Sequence, residues 1–208
     1  NTAWSNSDSV ADLALWWILS LLRKTNNTWQ NIDDRFNFYW RNLSNLNIWF
    51  IWFWNIAKRL YSRLSSFPNN NFCFYDPFSN FSDNKIIKIE SKEELFSKCD
   101  IISFHIPLTK DTKDFLSKEE FKLLKNNSII INTSRWWIVN EEELINFLKL
   151  NPESWAFLDT WNEEPENPKQ SLLSLNNCII TPHIWAMTEE SNKNMHYFEE
   201  FTKKEETN

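Results

Sequence analysis

The stretch Asn47-Ile48-Trp49-Phe50-Ile51-Trp52-Phe53-Trp54-Asn55-Ile56-Ala57 decides how the chain is read. Asn47 to Trp52 makes a short apolar strand, and Asn55 to Ser66 has helical spacing. The junction has the spacing of G-x-G-x-x-A, with tryptophan at both glycine places, Trp52 and Trp54. Glycine has a physical task at such a junction. The first permits a tight turn, and the second lets backbone approach a pyrophosphate at the helix N-terminus. Taken as written, the same run is a hydrophobic core strand. The next strand, Phe72 to Tyr75, ends at Asp76, about 20 residues on, where an acid would bond the ribose hydroxyls of a dinucleotide.

Outward from that junction, short apolar runs alternate with amphipathic segments. Lys85–Ile89, Ile101–Phe104, Ser128–Asn132, Trp155–Leu158 and Cys178–Thr181 read as strands. Lys92–Ser97, Lys118–Leu124 and Glu141–Leu150 read as helices. Upstream, Ser9–Arg23 is a helix with apolar residues on nearly every face, so it is buried on two sides or packed against a partner. A polar, Asn-rich connection runs from Lys24 to Asn47, and Glu189–Lys203 closes the chain as a helix. Strands alternating with helices of this length need crossover connections and give a parallel sheet covered on both faces. The expected fold is therefore α/β, a doubly wound sheet of Rossmann type. Residues 1–24 form an opening helix, 25–187 the dinucleotide-binding domain and 188–208 a C-terminal return helix.

Composition sets the bounds. A chain of 208 residues suits one domain of ordinary size. Roughly 15 glycines are expected at average usage, yet there are none, while tryptophan occurs 13 times. A net charge of −6 argues against a nucleic-acid footprint. Cys73, Cys99 and Cys178 are far apart and odd in number, which fits reduced thiols in a cytoplasmic protein and gives no metal spacing. No apolar run is long enough to span a bilayer. The start at Asn1, without a leader, reads as a piece that begins mid-protein.

Several further stretches carry a family resemblance: NTAWSNSDSVADLAL, YWRNLSNLNIWFIWFWNIA, FYDPF, HIPLTKDTKDFLS, IINTSRWWIVNEEEL, WAFLDTWNEEP and TPHIWAMTEE. The chain resembles the NAD-binding domain of the D-isomer-specific 2-hydroxyacid dehydrogenases, nearly end to end. HIPLT, NTSRWWIVNEEEL and TPHIWAMTEE look most like the phosphoglycerate dehydrogenase branch. In that family the positions of Trp4, Trp40, Trp49, Trp52, Trp54, Trp136, Trp137, Trp155 and Trp185 are usually or very often glycine. Trp161 lies where the family commonly has a true aromatic. The economical explanation is a codon reading, in which UGA specifying glycine has been written as tryptophan. The 17 phenylalanines and many asparagines fit an AT-rich genome, where UGA would be a cheap glycine codon.

The resemblance also implies roles. Arg135 would hold the substrate carboxylate and carbonyl, a two-pronged task suited to guanidinium. His183 would exchange a proton with the substrate oxygen, and Glu164 would pair with it and favour imidazolium. Asn55 and Ile56 would offer amides to the pyrophosphate, and Asp76 would take the ribose and repel a 2′-phosphate, favouring NAD over NADP. Thr133, Ser134 and Arg135 would border the nicotinamide, Asp159 would hold its carboxamide side, and His183 to Ala186, with Trp185, would close the pocket. His105 lines the cleft structurally, and His196 reads as surface.

The resemblance thus implies reversible hydride transfer between NAD and C2 of a 2-hydroxy/2-oxo acid, 3-phosphoglycerate among them. The family's other lobe, which completes the substrate cleft, is largely absent from these residues. The opening helix resembles a dimerisation element, so a homodimer is expected, without nucleic acid or membrane. Two alternatives stand beside the enzyme: a non-catalytic NAD-sensing interaction module, and an inactive fragment of such a dehydrogenase. The intact Arg135, Glu164 and His183 favour an enzymatic parent.

Overall fold

The computed structural model describes residues 6–25 and 40–193. Helix α1 (Ser7–Leu22) comes first. The alternating series that follows is β1 (Asn47–Ile51), α2 (Asn55–Leu64), β2 (Asn71–Tyr75), β3 (Ile86–Lys88), α3 (Lys92–Lys98) and β4 (Ile101–Phe104). It continues with α4 (Lys118–Phe121), β5 (Ile129–Asn132), α5 (Glu141–Leu150), β6 (Trp155–Leu158), α6 (Gln170–Leu173) and β7 (Cys178–Ile180). The strands form one seven-stranded sheet in the order β3-β2-β1-β4-β5-β6-β7, and every pairing is parallel. β4, β5 and β6 are buried at every residue, the pattern of strands covered on both faces.

Two apolar layers flank the sheet. Ile48, Phe50, Phe72, Ile131 and Phe157 face α1 and α2, whereas Ile51, Ile102, Phe104 and Ile130 face α3 to α6. α1 is tied to α2 by Arg63, which reaches Asp8 and Asp12, and by Arg59, which also reaches Asp8. Trp17 stacks on Phe157 at 4.7 Å, while Trp16 on the outer side is 58% exposed. The apolar character all round α1 thus divides into a buried face on the sheet and an outer face carrying Trp16.

Element boundaries moved where local bonding departs from periodicity. β1 ends at Ile51 because Trp52 turns out of the strand with a φ of 65°. α4 stops at Phe121, since Leu123 and Leu124 bond to Glu120 and Phe121 in tighter i→i+3 turns. Ser128 leaves the ladder because its N–H donates to the Ser154 hydroxyl at 3.1 Å. α6, four residues long, was too short to show a period. Residues 189–193 are helical; the rest of the expected closing helix, with His196, lies outside the described residues, as do 26–39 of the polar connection.

Candidate active site

The strand order reverses between β1 and β4, and a cleft opens there at the carboxyl ends of the strands. It encloses about 170 Å³ and is lined by Trp54 and Ile56 from the β1 side, His105 to Pro107 after β4, Thr133 to Arg135 after β5, and Trp185 after β7. The N-terminal end of α1 completes the wall with Val10.

At the β1–α2 junction the backbone does what the spacing demands. Trp52 sits in the left-handed region and donates its N–H to the Tyr75 carbonyl at 2.8 Å. A bulky residue at such a φ is strained, by about 1–2 kcal/mol. Its indole is 5% exposed, with ring centres 6.0 Å from Tyr75 and 6.1 Å from both Phe78 and Phe115. Trp54 is the N-cap of α2, has no capping side chain to offer, and is half exposed. The first turn of α2, with Asn55 and Ile56, therefore has neither a side-chain cap nor an acid. Uncapped amides of that kind suit an anion. Asp76 follows β2 and is fully buried. Its two oxygens accept the N–H of Phe53 at 3.1 Å and of Phe78 at 2.9 Å, so it holds the junction and its own turn together.

On the other rim, the His183 ring lies against Glu164. Nδ1–H donates to the carboxylate at 2.6 Å, and Nε2 has no hydrogen-bond partner among the described residues. His183 has a φ of 54°, a strained value for a non-glycine residue of the sort that gathers at functional sites. Asp159, fully buried, accounts for that conformation. It accepts the N–H groups of Ile184 and Trp185, each at 2.9 Å, and the Thr181 hydroxyl. Burial pushes its carboxyl above the usual range, against the pull of those hydrogen bonds. The Trp185 ring lies 5.7 Å from His183 and lines the cleft; Ala186 follows it, half-buried. Arg135 is exposed at the cleft and donates to the Ser134 carbonyl at 2.7 Å. Thr133 Oγ1, Thr160 Oγ1 and Glu164 Oε2 are buried without a hydrogen-bond partner among the described residues.

The family model described as the NAD binding domain of D-isomer specific 2-hydroxyacid dehydrogenases matches residues 15–184. The chain belongs to this family. D-3-phosphoglycerate dehydrogenase 2 of Saccharomyces cerevisiae is 30% identical over 92% of this chain and 44% of its own length. Hydroxypyruvate reductase of Thermotoga maritima is 29% identical over 93% and 64% respectively. Among solved structures, the NAD-dependent formate dehydrogenase of Staphylococcus aureus, in complex with NAD, superimposes with a TM-score of 0.81. It is 28% identical over 91% of this chain and 58% of its own. The chain spans about half the length of the curated relatives it matches.

A D-2-hydroxyacid dehydrogenase domain must admit a dinucleotide, and the two ends of this cleft answer differently. At the β5–β7 end the residues fit: Thr133, Ser134, Arg135 and Trp185 line the cleft, and the Thr133 hydroxyl is buried without a partner among the described residues. At the β1–α2 end they do not. Trp54 lines the cleft beside the first turn of α2, Trp52 puts a buried indole where the turn calls for a residue without a side chain, and 170 Å³ falls below the roughly 300–1,000 Å³ of ordinary ligand sites. Core tryptophans repeat the misfit. The indole N–H groups of Trp17, Trp49, Trp155 and Trp185 are buried without partners, where a tryptophan ordinarily finds one.

Sequence reasoning named Asp76, Asp159 and His105 but not the bonds that hold them. Asp159 and Asp76 anchor turns as well as lying beside the cleft; Asx bonding of this kind gives no periodic signal. His105 is buried, bonds Ser103 Oγ through Nε2 at 3.0 Å and is pushed down to about 3 by burial, so its imidazole is neutral.

Proposed function

We propose that this chain is the nucleotide-binding part of an NAD-dependent D-2-hydroxyacid dehydrogenase that moves hydride between NAD(H) and C2 of a 2-hydroxy/2-oxo acid. The observation that carries the reading is the His183–Glu164 pair at 2.6 Å, its ring 5.7 Å from Trp185, which lines one cleft with Arg135 and Thr133. A domain that only binds NAD has no need of a paired imidazole and carboxylate. NAD supplies the hydride carrier, and the chain's own residues do the rest. Arg135 holds the substrate carboxylate by two parallel N–H bonds. His183 Nε2 gives a proton to the carbonyl oxygen in reduction and removes it in oxidation. Glu164 holds Nδ1 and with it the orientation of the ring. Thr133 and Ser134, which line the cleft, would hold the nicotinamide end of NAD, and Asp159 sets the turn of His183 to Ala186. Asp76 would take the ribose and favour NAD over NADP; its buried carboxylate accepts the N–H groups of Phe53 and Phe78.

This reading requires glycine at Trp52 and Trp54, and we propose that the tryptophans at these and the other family-glycine positions are UGA codons read as glycine in the living cell. The φ values of 65° at Trp52 and 59° at Trp137 support this, as do the unpartnered indoles of Trp49, Trp155 and Trp185. Peptide mass spectrometry of the protein from its own cells decides it: glycine at position 52 is expected, and tryptophan there ends the recoding reading. The substrate class follows the relatives, whose names include D-3-phosphoglycerate dehydrogenase, glyoxylate reductase and hydroxypyruvate reductase; 3-phosphoglycerate is the substrate to assay first. Pairing of two copies through the outer face of α1 and a cytoplasmic setting belong to the same reading. Sedimentation of a Trp16→Glu variant as monomer, against a dimeric parent, would support the pairing.

A further inference from the structure

Beyond the last rung of the β5–β6 pairing, Asn132 with Leu158, one bond remains between the strands, from Asp159 N–H to the Asn132 carbonyl. The chain then parts into two loops, one carrying Arg135 and the other Glu164. Two hydrogen bonds bring these loops back together, and both run through Asn162. Its side-chain oxygen accepts the N–H of residue 137 at 2.8 Å. Its own N–H donates to the Glu141 carboxylate at 2.6 Å. Among the described residues, no other hydrogen bond joins 133–141 to 159–169.

The placement is suited to alignment. Residue 137 lies two positions after Arg135, and Asn162 two before Glu164. Glu141 is 4% exposed at the first position of α5, where the helix amides favour a carboxylate. Residue 137 is held from its other side as well, since its carbonyl accepts the Asp114 N–H at 2.7 Å. By contrast, the bonds within the Glu164 loop, from Glu164 N–H to the Trp161 carbonyl and from the Trp161 indole to the Glu166 carbonyl, fix its shape and leave its distance from Arg135 open.

We propose that Asn162 and Glu141 form a clasp that sets the separation between Arg135 and the Glu164–His183 pair. They are positioning residues, and the proposal rests on the acid–base reading above. A substrate gripped at its carboxylate by Arg135 must present its C2 oxygen to His183 Nε2, and reactivity falls steeply when such a geometry drifts by about 1 Å. The clasp uses the backbone N–H of residue 137, so it operates with glycine or tryptophan there.

NMR of the 208-residue chain tests this without NAD or substrate. Two signals are read: the exchange rate of the residue 137 amide, and the low-field His183 ring N–H bonded to Glu164. Asn162→Ala is expected to speed exchange of that amide about tenfold and to broaden the His183 ring proton beyond detection. Glu141→Ala should do the same, whereas Glu141→Gln, which keeps an acceptor for Asn162 N–H, should leave both signals as in the parent. A merely structural role would lower melting temperature without this selectivity. A sharp His183 ring proton in Asn162→Ala, or a Glu141→Gln variant that behaves like the alanine, overturns the clasp. If Glu141→Ala does not fold, Asn162→Ala at its half-buried loop position carries the test alone. Failure of the acid–base reading shows separately, as unchanged dehydrogenase activity in His183→Ala.

Discussion

Replacing the two cradle tryptophans, Trp52→Gly together with Trp54→Gly, should exchange stability for ligand binding by amounts that the structure sets. The Trp52 side chain is 5% exposed, and a buried tryptophan removes about 150–250 Å² from water, worth roughly 4–6 kcal/mol at 25 cal/mol/Å². Against this, glycine relieves about 1–2 kcal/mol of left-handed strain at a φ of 65°. The Trp52 replacement alone is thus expected to cost about 2–5 kcal/mol without ligand. Trp54, 51% exposed, adds about 2–3 kcal/mol by the same arithmetic, so the double glycine form is about 4–8 kcal/mol less stable. NAD at a hundred times its dissociation constant returns about 2.7 kcal/mol, or roughly 5–10 °C for a domain of this size. Thermal melts of both forms, with and without NAD, read both effects. The glycine form should melt lower alone and rise with NAD, while the tryptophan form should be indifferent to it. An NAD-dependent rise in the tryptophan form would refute the reasoning that tryptophan at these positions keeps the dinucleotide out.

Other substitutions probe the remaining parts. His183→Ala in the active dehydrogenase should lower kcat by about 10²–10⁴ with NAD affinity retained; steady-state kinetics and NAD titration check both. Glu164→Gln weakens the bond that holds His183 Nδ1, so kcat should fall with NAD affinity retained; an unchanged kcat would exclude Glu164 as the group that positions His183. Asp76→Ala should weaken NAD binding and narrow the preference over NADP, measured by paired titrations, and loss of the two bonds to Phe53 and Phe78 should also lower the melting temperature. Burial raises Glu141 above its ordinary 4.5, so its ionisation weakens the fold as pH rises through the folded value. Glu141→Gln should therefore gain stability relative to the parent as pH rises above 4.5, and a constant difference between denaturant melts at pH 4 and pH 7 would contradict this.

The sheet was legible because strands such as Ile101–Phe104 and Trp155–Leu158 are buried on both faces, and their near-continuous apolar runs announce a parallel core. Arg135, Glu164 and His183 were legible because each stands in a short motif just past a strand. What stayed hidden was held by bonds rather than by pattern. The cross-loop bonds of Asn162 join residues 21 and 25 apart in the chain, and nothing in local composition marks them. The inward turn of Asp76 and Asp159 is likewise a matter of which backbone amides lie near, a property of the folded loops. α6 and the shortened α4 fall below the length at which a helical period can be counted.

Trp52 has a consequence that reaches past its strain. Its indole packs against Tyr75 at the end of β2, Phe78 just past it and Phe115 ahead of α4, so one side chain rivets three separate stretches of chain to the first turn. Glycine there would remove that rivet and leave Tyr75 and Phe115 with the 5.8 Å contact they make on each other. A tryptophan at this turn thus trades local freedom for cohesion.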